Sequence, residues 1–183
     1  ERSYAHNNRL RRLLDDVSLI TRMEDGSQLI EKEPVVINNI IKEIADELEV
    51  TPKDERLELH WDFKEEVAIE GNLSLIDSIF RNLIENAIAY SGGKNIYITL
   101  IENSDTGCNI RFEDDGRGVD EKQLPRLFER FYRIDKGRSR LMGGTGLGLA
   151  IVKHAVQFHG GKITVVNRPG GGLQYDFTLS KQS

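Results

Sequence analysis

Near the start of the chain, apolar residues recur at mixed three- and four-residue spacing: Leu10, Leu13, Leu14, Val17, Ile20 and Met23, set among charged neighbours. That spacing predicts one long helix from Arg2 to Met23. The apolar seam is narrow, and a single helix cannot bury it alone. It asks for partner helices in a coiled coil or a four-helix bundle. "EDGSQ" ends the pattern, with Gly26 placed as a C-terminal cap. This sets a boundary between residues 1–25 and 26–183.

Beyond it the periods alternate. "EPVVI" reads as a short strand. Asn38 to Leu48 reads as an amphipathic helix with Ile40, Ile41, Ile44, Ala45 and Leu48 inward. "VTPKDE" turns at Pro52. "RLELHWDF" alternates through Leu57, Leu59, Trp61 and Phe63, as a strand does. "EVAIEG" is a further short strand, and Leu73 to Tyr90 a strong helix. "NIYITLIE" and "CNIRFEDD" are strands joined by "NSDTG". Glu121 to Phe128 reads as a short helix, Arg130 to Met142 as a mobile basic loop, and Thr145 to Phe158 as a helix. "KITVVNRPGGGLQYDFTLS" closes with two strands around a glycine turn. Mixed order with antiparallel hairpins predicts a two-layer α/β sandwich rather than a doubly wound sheet.

Composition narrows the class. The 183 residues are 38% hydrophobic and 30% charged, which suits a globular protein and argues against wholesale disorder. The net charge of −5, with no basic arm or stripe, gives no reason to expect nucleic acid as a partner. The single cysteine, Cys108, lies in an alternating stretch and reads as a buried strand thiol. No apolar run is long enough to span a bilayer, and no stretch of the sequence reads as a signal peptide. The chain opens on "ERSYAHNNRLRRLL", already in helical pattern and without an initiator methionine, and so reads as a piece of something longer.

Three segments carry chemistry. Gly144, Gly146 and Gly148 open the last predicted helix. A helix N-terminus presents unpaired N–H groups and partial positive charge, and glycines there let a phosphate approach the backbone. A flexible loop before a capped helix gives the same residues. The Walker pattern fails, because Leu149 and Ala150 follow Gly148 where Lys and Ser/Thr belong. The dinucleotide pattern fails too, because a basic loop precedes the glycines instead of a strand. On the helix from Leu73 to Tyr90, Asn82, Asn86 and Tyr90 recur every four residues along one edge of the apolar face. Amides at such a border either hold a hydrated Mg²⁺ or cap neighbouring elements. In "FEDDGRGVD", a carboxylate at the strand end followed by two glycines either receives the exocyclic N–H of adenine or forms an acidic turn. Asp114, one position before the turn proper, is the aspartate expected to be buried.

"NLIENAIAYS", "DDGRG", "LFERFYR" and "GGTGLGLAIVKH", in that order, resemble the N, G1, F and G2 boxes of sensor histidine kinases. The resemblance covers roughly residues 34–180. It implies the Bergerat fold, a mixed sheet covered on one face by three helices, with ATP under a mobile lid. The opening helix then corresponds to the second helix of the dimerisation and phosphoacceptor domain. Position by position, the resemblance makes Asn86 the main Mg²⁺ ligand and Asn82 its metal or phosphate neighbour. Tyr90 lines the adenine pocket. Asp114 binds the adenine amino group, with Gly116 and Gly118 shaping that wall. Phe128, Phe131 and Tyr132 anchor the lid, and Lys136, Arg138 and Arg140 are its phosphate-seeking cations. Gly144, Thr145, Gly146, Leu147 and Gly148 wrap the triphosphate. It further implies a homodimer, transfer of the γ-phosphoryl group to a histidine, relay to a response-regulator receiver domain, and a cytoplasmic position in a membrane-anchored protein.

The chain departs from the family pattern at three places. Ala89 stands where relatives often carry lysine, and Gly71–Asn72 where they show Gly-Asp. The phosphoacceptor box is absent: His6 is followed by Asn7, Asn8 and Arg9. His60, His154 and His159 read as structural or solvated. Two rivals stand beside a kinase: a hydrolase or clamp of the same superfamily, and a degenerate dimeric scaffold. Hydrolase relatives carry a glutamate where this chain has Asn82, an amide that cannot act as a base. Glu85 is expected on another face of the helix.

Overall fold

Two segments with single apolar faces lie against a sheet and bury those faces on it. In the computed structural model, which describes residues 2–25, 30–134 and 145–182, these are α2 (Ile37–Val50) and α3 (Leu73–Asn86). Before them come α1 (Arg2–Asp25) and β1 (Glu33–Val36); between them lie β2 (Glu58–Trp61) and β3 (Ala68–Gly71). After α3 follow β4 (Asn95–Asn103), β5 (Gly107–Asp114), α4 (Gly148–Phe158), β6 (Ile163–Asn167) and β7 (Leu173–Ser180).

The main sheet has five strands in the order β2-β4-β5-β7-β6, and β1 pairs with β3 apart from it. Among the described residues only β2 and β4 run parallel; the other pairings are antiparallel. The sheet is therefore mixed, as the sequence predicts. Alternation sends Cys108, Ile110, Phe112 and Asp114 of β5 to one face, where Tyr175, Phe177 and Leu179 of β7 join them. Helices α2, α3 and α4 cover that face, with Ile41, Ile76, Ile79, Phe80 and Val156 in the core. Phe80 meets Phe177 edge to face, with ring centroids 5.8 Å apart.

Local chemistry fixes the ends of α3. The Asn72 side chain accepts the Leu75 N–H at 3.0 Å as an N-cap. His159, fully buried behind it, accepts the Asn72 N–H at Nε2 and bonds the Ala155 carbonyl through Nδ1. Burial holds this imidazole below its ordinary pKa, so it is a neutral structural histidine. At the other end α3 stops short of Tyr90. Residues Ala87–Ser91 widen into a π turn that closes on Gly92 in the left-handed region.

Two other predicted elements change. The helix expected over Glu121–Phe128 is a run of turns with one 3₁₀ turn, Leu124–Arg126. Pro125 supplies no N–H, and the bonds on either side of it, such as Leu127 N–H to Leu124 carbonyl, all span three residues. The last helix starts at Gly148 rather than Thr145. Gly26 and most of the basic loop, residues 135–142, lie outside the described residues.

Helix α1 uses its stripe differently from expectation. Ile20 packs on Leu147, Ala150 and Ile151, with Leu13 and Met23 beside it. Leu10, Leu14 and Val17, half of the apolar seam, stay exposed.

Candidate functional site

A cavity of about 910 Å³ opens between the C-terminal half of α3, the end of β5 and the start of α4. Asn82, Asn86 and Tyr90 line it from one edge of α3 and the widened turn, as their four-residue spacing predicts. Asn82 donates Nδ2 to the Ser78 carbonyl at 2.8 Å, which leaves its Oδ1 turned toward α4. That oxygen lies 2.9 Å from where a Cβ on Gly148 would sit, so a side chain there would push the Asn82 amide aside. The Asn86 amide has no hydrogen-bond partner among the described residues and stands at the cavity wall.

Asp114 ends β5, buried to 3% exposure, and lines the opposite wall. Its Oδ1 accepts the N–H groups of Gly116 at 2.9 Å and Leu173 at 3.2 Å. Among the described residues, Oδ2 accepts no hydrogen bond. Burial pushes its pKa up, and the two backbone donors only partly offset that. Asp115 points away: it accepts from the backbone of Lys94 and Asn95 and from the Asn95 side chain. Burial raises its pKa, but those bonds outweigh it and hold the carboxyl below the ordinary range.

Gly118 lines the cavity, while Gly116 lies behind it, its backbone packed against Ser91 of the π turn. Phe128 turns its ring edge to Tyr175 in the core. Phe131 is exposed and holds φ at 63°, a left-handed conformation that costs a non-glycine residue about 1–2 kcal/mol. Its N–H donates to the Gly146 carbonyl at 2.8 Å. Gly146 is itself at φ 78°, with Phe131 Cα 2.9 Å from a Cβ placed there. Tyr132 lines the cavity under the Arg126 guanidinium.

Thr145, Gly146 and Gly148 line the cavity beside α3. Leu147 does not: its side chain is buried in the cluster with Ile20. Lys136, Arg138, Arg140 and Gly144 lie outside the described residues.

The sequence reading missed one contribution. Arg12, Asp16, Ile20 and Glu24 form a second stripe on α1, spaced by four and facing the rest of the molecule. Arg12 pairs with Glu85, and both line the cavity; Glu85 therefore belongs to its rim rather than to another face. Asp16 accepts the Thr145 hydroxyl at 2.8 Å. Burial pushes its carboxyl up, with Thr145 and Arg12 pulling against it. Glu24 pairs with Arg130.

A mixed sheet under three helices, with a deep cavity between an asparagine-edged helix and a glycine-opened one, defines an α/β-sandwich domain of the ATPase type. The chain belongs to the histidine kinase-, DNA gyrase B-, and HSP90-like ATPase family, whose profile matches residues 71–183. The sensor-like histidine kinase SenX3 of Mycolicibacterium smegmatis is 33% identical over 98% of this chain and 46% of its own length. The ATP-binding domain of PrrB from Mycobacterium tuberculosis superposes with a TM-score of 0.66 at 27% identity, covering 84% of this chain and 99% of that one. Full-length ShkA in complex with AMPPNP shares the fold, with a TM-score of 0.78 at 24% identity over 100% of this chain and 37% of its own. The chain spans less than half the length of the curated relatives it matches. Among the described residues no helix is long and apolar enough to cross a membrane.

Proposed function

We propose that this domain binds Mg-ATP in the cavity and presents its γ-phosphoryl group to a histidine other than the four in this chain. From there the group passes to the aspartate of a response-regulator receiver domain. The observation that carries the reading is the convergence of Asn82, Asn86, Asp114 and Gly146 on one cavity.

Asp114 Oδ2 takes the exocyclic N–H of adenine, and Tyr90 lies along the same wall. The start of α4 offers backbone N–H groups and positive dipole charge to the phosphates. The side-chain oxygens of Asn86 and Asn82 suit Mg²⁺, a hard cation that keeps several waters and needs few protein ligands. Among the described residues no cluster of three His, Cys, Asp or Glu stands as an alternative metal site. When bound, the ion neutralises phosphate charge. Lys136, Arg138 and Arg140 add lid cations and take the part of the lysine that Ala89 replaces. Phosphoryl transfer needs little more than such positioning and charge neutralisation.

In the whole protein, the exposed Leu10, Leu14 and Val17 of α1 bury against a second copy in a helical bundle. The domain lies on the cytoplasmic side of a membrane-anchored receptor. Calorimetric titration of this chain with a non-hydrolysable ATP analogue and Mg²⁺ tests the reading. Saturable one-site binding is expected, with no incorporation of phosphate from ATP into this chain. Absence of heat would overturn it, and steady phosphate release would favour a hydrolase.

A further inference from the structure

The wall that carries Asp114 is not held by β5 alone. Asn167, the last residue of β6, lies across from Leu173 in the β6–β7 ladder. Its Oδ1 accepts the Val119 N–H at 2.9 Å, and its Nδ2 donates to the Val119 carbonyl at 2.7 Å. One amide side chain thus satisfies both polar groups of one loop residue, as a paired strand would. Val119 lines the cavity five residues after Asp114. Gly118 is pressed against the same amide: a Cβ there would lie 2.5 Å from Asn167 Oδ1. At the other end of the loop, Leu173 gives its N–H to Asp114. Gly172 packs so closely that a Cβ on it would reach 2.0 Å from the Asp114 carbonyl oxygen.

We infer that Asn167 is a positioning residue for base recognition, hanging the Asp114–Val119 wall from the β6–β7 hairpin. The inference rests on the nucleotide reading above. Asn167 touches no ligand itself. With both Val119 peptide groups occupied, discrimination at this wall falls to the Asp114 carboxylate and the Val119 side chain. Loss of the clamp strands two peptide groups and lets the wall drift.

The test compares the full chain with Asn167→Ala and Asn167→Asp, titrated with adenosine, ADP and inorganic tripolyphosphate. Asn167→Ala is expected to weaken adenosine and ADP about tenfold, as two partly buried peptide groups lose their partner, while leaving tripolyphosphate unchanged. Asn167→Asp keeps the acceptor for the Val119 N–H but turns the donor into a second acceptor. Protonation restores an O–H donor, so its adenosine affinity relative to wild type is expected to recover as pH falls, with no such recovery in Asn167→Ala. A merely structural residue would lower all three ligands together. In the wild-type chain without nucleotide, the Val119 amide is expected to exchange hydrogen slowly. Fast exchange there overturns the inference even if neither variant folds, as does unchanged adenosine affinity in folded variants. Failure of wild type to bind adenosine or ADP sinks the nucleotide reading instead.

Discussion

The two walls of the cavity are built on opposite plans. On the Asp114 side two groups are tied to the β6–β7 hairpin: the carboxylate to Leu173, with Gly116 as a second donor, and Val119 to Asn167. On the glycine side, among the described residues, Gly146 gives its carbonyl to the Phe131 N–H, and Phe131 is itself in a left-handed conformation. Thr145 is held by Asp16, which belongs to α1 and not to the sandwich. A planar base is read best by a wall ordered beforehand, since no ordering entropy is then lost on binding. A triphosphate that must be admitted and released suits a wall with few ties, anchored outside the core. One cavity thus joins a rigid surface to a releasable one.

The largest expected effect breaks the rigid side. Asp114→Asn keeps an oxygen for Gly116 and Leu173 but places an NH₂ where the adenine amino group would donate. Adenosine and ATP affinity should fall about a hundredfold, the scale of a lost hydrogen bond to a buried charge with a donor clash added. Thermal stability at neutral pH should hold or rise. Burial raises the native pKa of Asp114. Its favourable contribution is therefore present below the ordinary carboxylate pKa and is lost as pH rises through the raised one. Calorimetry and melting curves check the two halves. The releasable side should respond differently. Gly146→Ala puts a Cβ against Phe131 in a left-handed backbone, at about 1–2 kcal/mol, or roughly tenfold in tripolyphosphate affinity. Adenosine affinity should not move. Equal losses for both ligands would erase the distinction between the walls.

Most of the rigid wall was legible in the chain. Alternation along "CNIRFEDD" sends Asp114 inward with Phe112 and Ile110, and turns Asp115 outward. A four-residue period places Asn82, Asn86 and Tyr90 along one edge of α3 and the π turn that follows it. The glycines before α4 announce a close approach without saying to what; the structure supplies Asn82 and Phe131. What was not legible depends on contacts remote in sequence. The apolar seam of α1 is visible as a period, but its docked stripe is defined by partners at Glu85, Arg130 and Thr145, more than seventy residues away. Asn167 carries no local signal either, since an asparagine before "RPGGG" is an ordinary turn residue. The helix expected over Glu121–Phe128 does not form because Pro125 supplies no N–H and its neighbours close three-residue turns instead.

The α1 tie sharpens the comparison at lower amplitude. Asp16→Ala removes the carboxylate that holds Thr145, whose hydroxyl in turn accepts the Leu147 N–H at 3.2 Å. One hydrogen bond of about 1 kcal/mol gives at most a fivefold loss in tripolyphosphate affinity. Hydrogen exchange should quicken along α1 and at Leu147 and leave β5 untouched. Quickening in β5 as well would mean that α1 supports the whole sandwich and not the releasable wall.

The smallest effect is a pH profile, and it separates the walls without disturbing either. Asp114 must be ionised to accept the adenine N–H, and burial is the main cause that lifts its pKa above the usual carboxylate value. Adenosine affinity should therefore halve at a pH above the ordinary carboxylate value of about 3.9, before most surface carboxylates titrate. Asp115, held below the ordinary range by Asn95 and Lys94, stays charged through that window and adds nothing to the profile. Asp114→Asn, titrated alongside, should give a flat profile at its lower affinity and so removes any titration of the ligand itself. Binding that weakens only where surface carboxylates protonate would place the adenine contact on a solvated group, and the rigid wall would lose its charge-bearing role.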